Sequence, residues 1–146
     1  MSIKALFPLT ALPFSDTIQS GWELKEGMGM DLLLWSRRLS AYIAVYSRCP
    51  GEEEGPLPIL AKHLFLGLRN RRILEQKALS LDGAEGLVTT LEATLDGRPV
   101  TLQSVVVKQL DCLYDLIYFA PPGAFASGLP EFESFLSGWR FVPAIR

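Results

Sequence analysis

The chain has 146 residues, of which 49% are hydrophobic and 21% charged, and its net charge at pH 7 is −2. This length is typical of one domain, and the composition excludes a disordered chain, which combines low hydrophobicity with high net charge. The slightly acidic balance argues against a dedicated nucleic-acid-binding protein, since such proteins carry a marked basic excess. We therefore expect a globular protein with no nucleic-acid partner.

The beginning of the chain is apolar but is a poor signal peptide. Pro8 and Pro13 interrupt the apolar run, and no small-residue cleavage site follows it. No stretch approaches the roughly 18 uncharged apolar residues that cross a bilayer as a helix. We expect residues 1–19 to be an N-terminal extension and residues 20–146 to be one domain. The expected location is cytoplasmic, with an exported or lipid-anchored form as the alternative if a native leader has been removed.

The first half of the domain is predicted to contain three short strands and a helix. The strands are expected at 22–25, 30–35 and 41–46. Leucines at three- and four-residue steps predict a helix from Pro58 to Ile73. Three glutamates precede this helix and three arginines close it, a polarity that suits the helix dipole.

The middle of the chain predicts a β-meander. Residues 87–95 have a period of two, the pattern of a half-buried strand: Leu, Thr, Leu, Ala and Leu at the odd positions alternate with Val, Thr, Glu and Thr at the even ones. Asp96-Gly97 and Asp82-Gly83 are the dipeptides preferred in tight hairpin turns, because both residues can adopt positive φ. Four antiparallel strands are therefore expected at 74–81, 84–95, 99–109 and 112–119.

A second helix is predicted from Pro130 to Trp139. Phe132, Phe135, Leu136 and Trp139 fall on one helical face, and Pro130 suits a first helical turn. The runs Val105-Val106-Val107 and 116–119 are apolar on both sheet faces, which favours cover on both sides. The predicted fold is α+β: an α/β/α sandwich with a central antiparallel sheet flanked by two helices.

Four segments carry a resemblance to a known superfamily: Leu-Asp-Gly-Ala-Glu-Gly (81–86), Leu-Asp-Gly-Arg-Pro-Val (95–100), Tyr-Asp-Leu-Ile-Tyr-Phe-Ala-Pro (114–121) and Phe-Glu-Ser-Phe-Leu-Ser-Gly-Trp (132–139). With the order of elements, they make residues 20–142 similar to the PsbP-like superfamily. That group includes photosystem subunits, a nuclear-import factor that binds a small GTPase, and many bacterial proteins. The resemblance implies a non-enzymatic accessory or partner-binding role. It carries over no functional residues.

No catalytic, metal or cofactor motif is present in the sequence. His63 is the only histidine, and it would have to serve as the base for Cys49 or Cys112 in nucleophilic catalysis. The favoured interpretation of His63 is a residue on the flank of the first helix. The two cysteines are not a CxxC pair, and whether they form a disulfide is open; small buried side chains are the favoured interpretation. We expect no cofactor.

Two acidic features of the sequence are candidates for catalysis. Glu52, Glu53 and Glu54 lie between Pro-Gly and Gly-Pro dipeptides and read as a solvated turn before the first helix. Asp115 shares a strand face with Leu113 and Ile117, and a carboxylate there is either functional or at a sheet edge. A position at a sheet edge is the favoured interpretation.

The best candidate contact surface is a basic cluster made of Arg69, Arg71, Arg72 and Lys77. Arginine binds carboxylates and phosphates in a bidentate manner, although a helix C-terminus complementing its own dipole explains the same residues. A second set of residues could line a groove under the closing helix, but ordinary core packing is favoured. This set consists of Tyr114, Tyr118, Phe119, Phe132, Phe135 and Trp139.

The predicted function is a non-catalytic accessory module that binds a protein partner through the basic cluster or a sheet edge. A carrier of a small apolar ligand or lipid is the alternative hypothesis, and an enzyme is the least favoured hypothesis.

Overall fold

The computed structural model describes residues 20–26, 30–48 and 67–141. These residues form seven strands and one helix, named here in chain order. The elements are β1 (Trp22–Lys25), β2 (Leu32–Ser36), β3 (Ala41–Arg48), β4 (Arg69–Leu81), β5 (Ala84–Leu95), β6 (Arg98–Gln109), β7 (Cys112–Ala120) and α1 (Pro122–Gly138).

All seven strands belong to one sheet, and every neighbouring pair is antiparallel. The order across the sheet is β1-β2-β3-β7-β6-β5-β4. Two hairpins turn at Asp82-Gly83 and Asp96-Gly97, where all four residues have positive φ, as tight turns of this kind require. The predicted meander and its turns are therefore confirmed, and β7 lies between the two halves of the sheet.

The two faces of the sheet carry separate apolar clusters because side chains alternate along each strand. The face under α1 includes Ile43, Val105 and Leu116 with the helix residues Phe132 and Phe135. The opposite face, called here the second face, is centred on a smaller cluster: Leu91, Ala93, Leu102, Val106 and Leu113. All five of these side chains are buried, so both faces of the sheet carry buried apolar residues, whereas the described residues contain one of the two predicted flanking helices.

α1 is fixed to its face by aromatic packing and by a few polar contacts. Tyr118 stacks on Phe132 with ring centroids 5.6 Å apart and donates a 2.8 Å hydrogen bond to the carbonyl of Phe125. Burial is the main cause that raises the pKa of Tyr118 to about 12, so the hydroxyl remains a donor. Trp22 Nε1 donates to Glu131, which also forms a 2.8 Å salt bridge with Arg38. The helix is therefore tied to both β7 and the first hairpin.

Two predicted boundaries were wrong. Residues 69–73 were assigned to the end of the first helix, but they belong to β4, where Arg72 pairs with Glu92 and Ile73 with Leu91. Pairing with β5 outweighs the local helical pattern, since tertiary contacts override weak propensity. The closing helix begins at Pro122 rather than Pro130, so Pro122 occupies the first turn and Pro130 lies inside the helix.

Other predictions cannot be compared with the structure. The N-terminal extension at 1–19 and the helix from 58 to 66 lie outside the described residues. Within the described ranges, no helix is long and apolar enough to cross a membrane. The assignment of residues 20–146 to one domain stays a prediction.

Replacement of Gly128 by alanine should destabilise the fold. A Cβ at this buried helical position would overlap Tyr118 Oη and lie 2.8 Å from Leu39 Cδ1. We expect Gly128→Ala to lower the free energy of unfolding by about 1–3 kcal/mol, the usual cost of overpacking, as measured by urea denaturation. Gly123→Ala in the same helix is the matched control, because a Cβ there meets nothing within 4 Å. An equal effect of the two variants would contradict the packing described here.

Candidate functional site

The basic cluster lies on β4, an edge strand, and not at a helix end. From Arg69 to Ala78 every residue of β4 is exposed, and the strand pairs only with β5 in the described sheet. Exposed sheet edges present unpaired backbone groups that can bind another strand. The structure therefore places the predicted contact residues along an open sheet edge.

Charged and apolar side chains are both exposed along this edge. Arg72 donates two hydrogen bonds to one oxygen of Glu92, Oε1, from Nε at 3.1 Å and from Nη2 at 2.7 Å. Lys77 lies 3.5 Å from the Glu75 carboxylate. These are exposed ion pairs, which contribute little to stability. Two apolar side chains on the same strand, Ile73 and Leu74, are 51% and 47% exposed.

The edge is irregular at its basic end. The register with β5 shifts between Arg69 and Arg72 and again between Ile73 and Glu75, and Asn70 has a positive φ of 53°. Bulges of this kind twist an edge strand and re-aim its side chains. The three arginines are therefore presented from a bent segment of strand, while the regular part of β4 runs from Glu75 to Leu81.

Asp115 lies in the centre of the sheet, so the interpretation as an edge residue was wrong. Its β7 position pairs with Tyr46 of β3 and Val106 of β6. Its side chain accepts a 2.9 Å hydrogen bond from Ser104 Oγ. Burial raises the pKa of Asp115 to about 7, against the lowering effects of the Ser104 hydrogen bond and the Arg48 charge. A pKa near neutrality suits acid–base chemistry, but this carboxyl is only 3% exposed and is bound to a structural partner.

The aromatic set does not line one groove. Tyr118, Phe132, Phe135 and Trp139 are buried in the cluster under α1, which confirms core packing for these four. Tyr114 packs against the same cluster. Phe119 lies on the opposite face of the sheet, in contact with the second cluster.

Phe119 belongs to an aromatic row that the sequence analysis missed. On the second face its ring stacks on Tyr42, with centroids 5.2 Å apart, and Tyr42 packs on Trp35 at 4.7 Å. The three residues come from β7, β3 and β2 and are adjacent because Tyr42 pairs with both Trp35 and Phe119. Alternation could have placed each residue on a face, but only the strand order brings them together.

The remaining candidates fall partly outside the description. His63, Cys49 and residues 52–54 lie outside the described residues. Cys112 is disulfide-bonded, so the interpretation of this cysteine as a small apolar core residue was wrong. In the described part of the chain, no group of three or more His, Cys, Asp or Glu side chains could hold a metal ion.

Comparison with known proteins shows the fold. No protein-family model and no curated protein matches the sequence. A solved cyanobacterial PsbP from Synechocystis has a TM-score of 0.62 at 11% identity over 84% of this chain and 82% of that one. PA94 from Pseudomonas aeruginosa, a protein of unknown function, has a TM-score of 0.61 at 11% identity over 85% and 99% of the two chains. LpqN, involved in cell envelope biogenesis of Mycobacterium tuberculosis, has a TM-score of 0.60 at 13% identity over 80% of this chain and 75% of that one. The chain therefore has a PsbP-like fold.

Burial of Asp115 should make stability depend on pH. The folded pKa of about 7 lies above the ordinary value of 3.8, so the folded state binds the proton more tightly and loses stability as pH rises between these values. In Asp115→Asn the amide oxygen can still accept from Ser104. We expect this variant to exceed the wild type in unfolding free energy at pH 8 by roughly 1–4 kcal/mol, and to lack most of the change between pH 4 and 7. Urea denaturation across this range measures both, and parallel profiles of the two proteins would contradict the assignment.

Proposed function

We propose that this protein is a non-catalytic accessory module that binds a protein partner along β4. The observation that carries the proposal is a 13-residue edge strand, exposed over most of its length, which combines three arginines with the aliphatic pair Ile73 and Leu74. In strand addition, backbone hydrogen bonds supply affinity and side-chain pockets supply specificity. A bound strand would cover the exposed edge and both aliphatic side chains.

The charges of β4 favour an acidic partner segment. Between Arg69 and Lys77 the strand carries four basic residues and one acidic residue, Glu75, on a chain whose overall charge is negative. Arginine recognises carboxylates in a bidentate geometry, and within the protein Arg72 already binds one carboxylate oxygen, Oε1 of Glu92. Charge complementarity would steer the partner and set its register.

The fold supports an accessory role by analogy only. PsbP is a neighbour in structure, and LpqN is involved in cell envelope biogenesis, but one fold hosts many functions. The proposal therefore rests on the β4 edge and not on these neighbours.

The disulfide favours an oxidising compartment. Disulfides persist in exported proteins and are rare in reducing cytosol. The sequence contains one other cysteine, Cys49, which directly follows β3, and the last residue of β3, Arg48, pairs with Leu113, the neighbour of Cys112. We therefore propose a Cys49–Cys112 bond and an exported protein in place of the cytoplasmic location expected from the sequence.

Removal of the basic side chains should abolish partner binding. We expect the triple variant Arg69→Ala, Arg71→Ala, Arg72→Ala to lose a partner that the wild type captures from a lysate of the source organism, with capture reduced at least about tenfold because several charged contacts are lost together. Arg37→Ala is the control, since Arg37 lies in the β2–β3 turn and its side chain is 82% exposed. The captured protein should carry an acidic segment that competes as a synthetic peptide. Equal capture by all three proteins would overturn the β4 assignment.

Thiol labelling tests the bond and the compartment. In protein isolated from its native source, we expect iodoacetamide to modify neither cysteine before reduction and both after it. Reduction should lower the free energy of unfolding by about 2–4 kcal/mol, because the bond closes a long loop in the unfolded chain. Cys112→Ser supplies the control, since its stability should not respond to reductant. Full labelling of the native protein without reduction would contradict the proposal.

A further inference from the structure

A cavity of about 640 Å³ opens at one end of the second face, where β2, β3 and β7 meet the β5–β6 turn. Its walls contain the aromatic row Trp35, Tyr42 and Phe119, together with Val100 and Pro121. Cavities of a few hundred to about 1,000 Å³ with largely apolar walls and a few polar groups are the usual form of small-ligand sites. This cavity, named here the aromatic cavity, has no role in partner binding along β4.

The aromatic surface of the cavity is open to a ligand. All three rings of the row are partly buried and partly exposed, unlike Tyr118 and Phe132 under α1, which are fully buried. Their order across the sheet is fixed by strand pairing, with Tyr42 opposite Trp35 on one side and Phe119 on the other. A row of this kind is held rigidly, so a ligand that packs on it orders few side chains.

Polar groups of both kinds lie at the mouth of the same cavity. Ser40, Asp96 and Arg98 line it, and the last two flank Gly97 in a tight turn whose backbone is set by positive φ at 96 and 97. Within the described ranges, the side chains of these three residues make no hydrogen bond or ion pair, nor do Trp35 Nε1 and the Tyr42 hydroxyl. The cavity therefore offers one carboxylate acceptor, a guanidinium donor and an indole donor beside apolar walls.

We propose that the aromatic cavity binds a neutral saccharide. A pyranose ring has an apolar C–H face that packs on aromatic side chains and a rim of hydroxyls that donate and accept hydrogen bonds. The hydroxyls can donate to Asp96 and accept from Arg98 and Trp35 Nε1, so one chemical group satisfies all the unpaired partners. Apolar packing and oriented polar contacts together are what such a site requires.

Asp96 also lines a second concavity at the same turn. This second concavity has a volume of about 460 Å³. It is lined by Asp96 and Gly97 of the β5–β6 turn and by Gly67, Arg69, Asn70 and Thr94. Its walls carry hydroxyl, amide and guanidinium groups but no aromatic ring in the described residues. A first sugar on the aromatic row and a second beside Asn70 would place Asp96 between them.

Other ligand classes fit these groups less well. A lipid chain would cover Asp96 and Arg98 without hydrogen bonds, at a cost for each desolvated group. A proline-rich peptide packs on aromatic grooves, but proline has no N–H to donate to Asp96. A nucleotide would bring its phosphates against the Asp96 carboxylate.

The test is a titration of ¹⁵N-labelled full-length protein with cellotriose, maltotriose and N,N′-diacetylchitobiose, followed through the indole N–H signals. Trp35 is distinguished from Trp22 and Trp139 by the signal that disappears in Trp35→Phe. We expect a saturable shift of the Trp35 signal with at least one sugar. In Trp35→Ala, the dissociation constant, followed through backbone amides of the β5–β6 turn, should rise about tenfold because the aromatic contact is lost.

Matched turn variants separate the site from the fold. Asp96→Asn should weaken binding several-fold, whereas Asp111→Asn, in the turn at the other end of β6, should bind like the wild type. The Arg71→Ala, Arg72→Ala double variant, which leaves Arg69 in place, should weaken partner capture but retain the Trp35 shift, so failure of partner binding along β4 and failure of this site are distinguishable. No saturable shift with any of the three sugars would overturn the proposal. A Trp35 shift with a proline decapeptide but with no sugar would overturn it in favour of a peptide site.

Discussion

The structure depends on the pairing of β7 with β3 on one side and β6 on the other. β1 to β3 form one antiparallel hairpin series and β4 to β6 form another, and β7 alone joins them into one sheet. The β3–β7 contact links Arg48 with Leu113, so a long loop must close before the sheet is complete. Cys112, the first residue of β7, is disulfide-bonded. α1 follows β7 directly and packs on the finished face through Tyr118 and Phe132. The aromatic cavity exists only because β7 lies beside β3 in this strand order.

Sequence patterns predicted what is local in this fold and missed what depends on distant pairing. The two Asp-Gly turns and the alternation of 87–95 were sufficient for β5, β6 and their hairpins, because register follows from the turn and the period of two. The prediction of the first helix was wrong at residues 69–73. The leucine pattern ends at Leu68, and the arginines that follow are equally compatible with helix and strand. Pairing of Arg72 with Glu92 across twenty residues decides between them, and no window of local sequence contains that contact. The closing helix was found with the correct apolar face, but Pro130 was taken for its start because an internal proline is rare in helices.

The candidate sites divide in the same way. The local sequence was sufficient to identify the basic cluster, because three arginines occur within four residues. Its exposure along an edge strand follows from the position of β4 at the end of the sheet. Asp115 was recognised as unusual among apolar neighbours, while its partner Ser104 lies on another strand and could be assigned only through the β6–β7 register. The aromatic row is a stronger case: Trp35, Tyr42 and Phe119 come from three strands, and each one alone is an ordinary strand residue. The aromatic cavity is built from residues of strands that are distant in sequence. The sequence therefore revealed the charged cluster but not the cavity.

The two proposed surfaces are neighbours, and Arg69 is part of both. Arg69 opens the basic end of β4 and also lines the concavity that shares Asp96 with the aromatic cavity. An acidic strand laid on β4 would draw the Arg69 guanidinium towards its own carboxylates, and the side chain would then be less available to a sugar beside Asn70. Thermodynamic linkage makes this effect reciprocal, so a sugar that engages Arg69 would weaken the partner strand by the same factor. Trp35 and Tyr42 lie on β2 and β3, which β7, β6 and β5 separate from β4 in the sheet order, so a partner on β4 would not change the aromatic half of the site. The geometry therefore confines any coupling between the two surfaces to the segment from 67 to 70, where the edge strand is bulged and its side chains can be redirected without breaking the sheet.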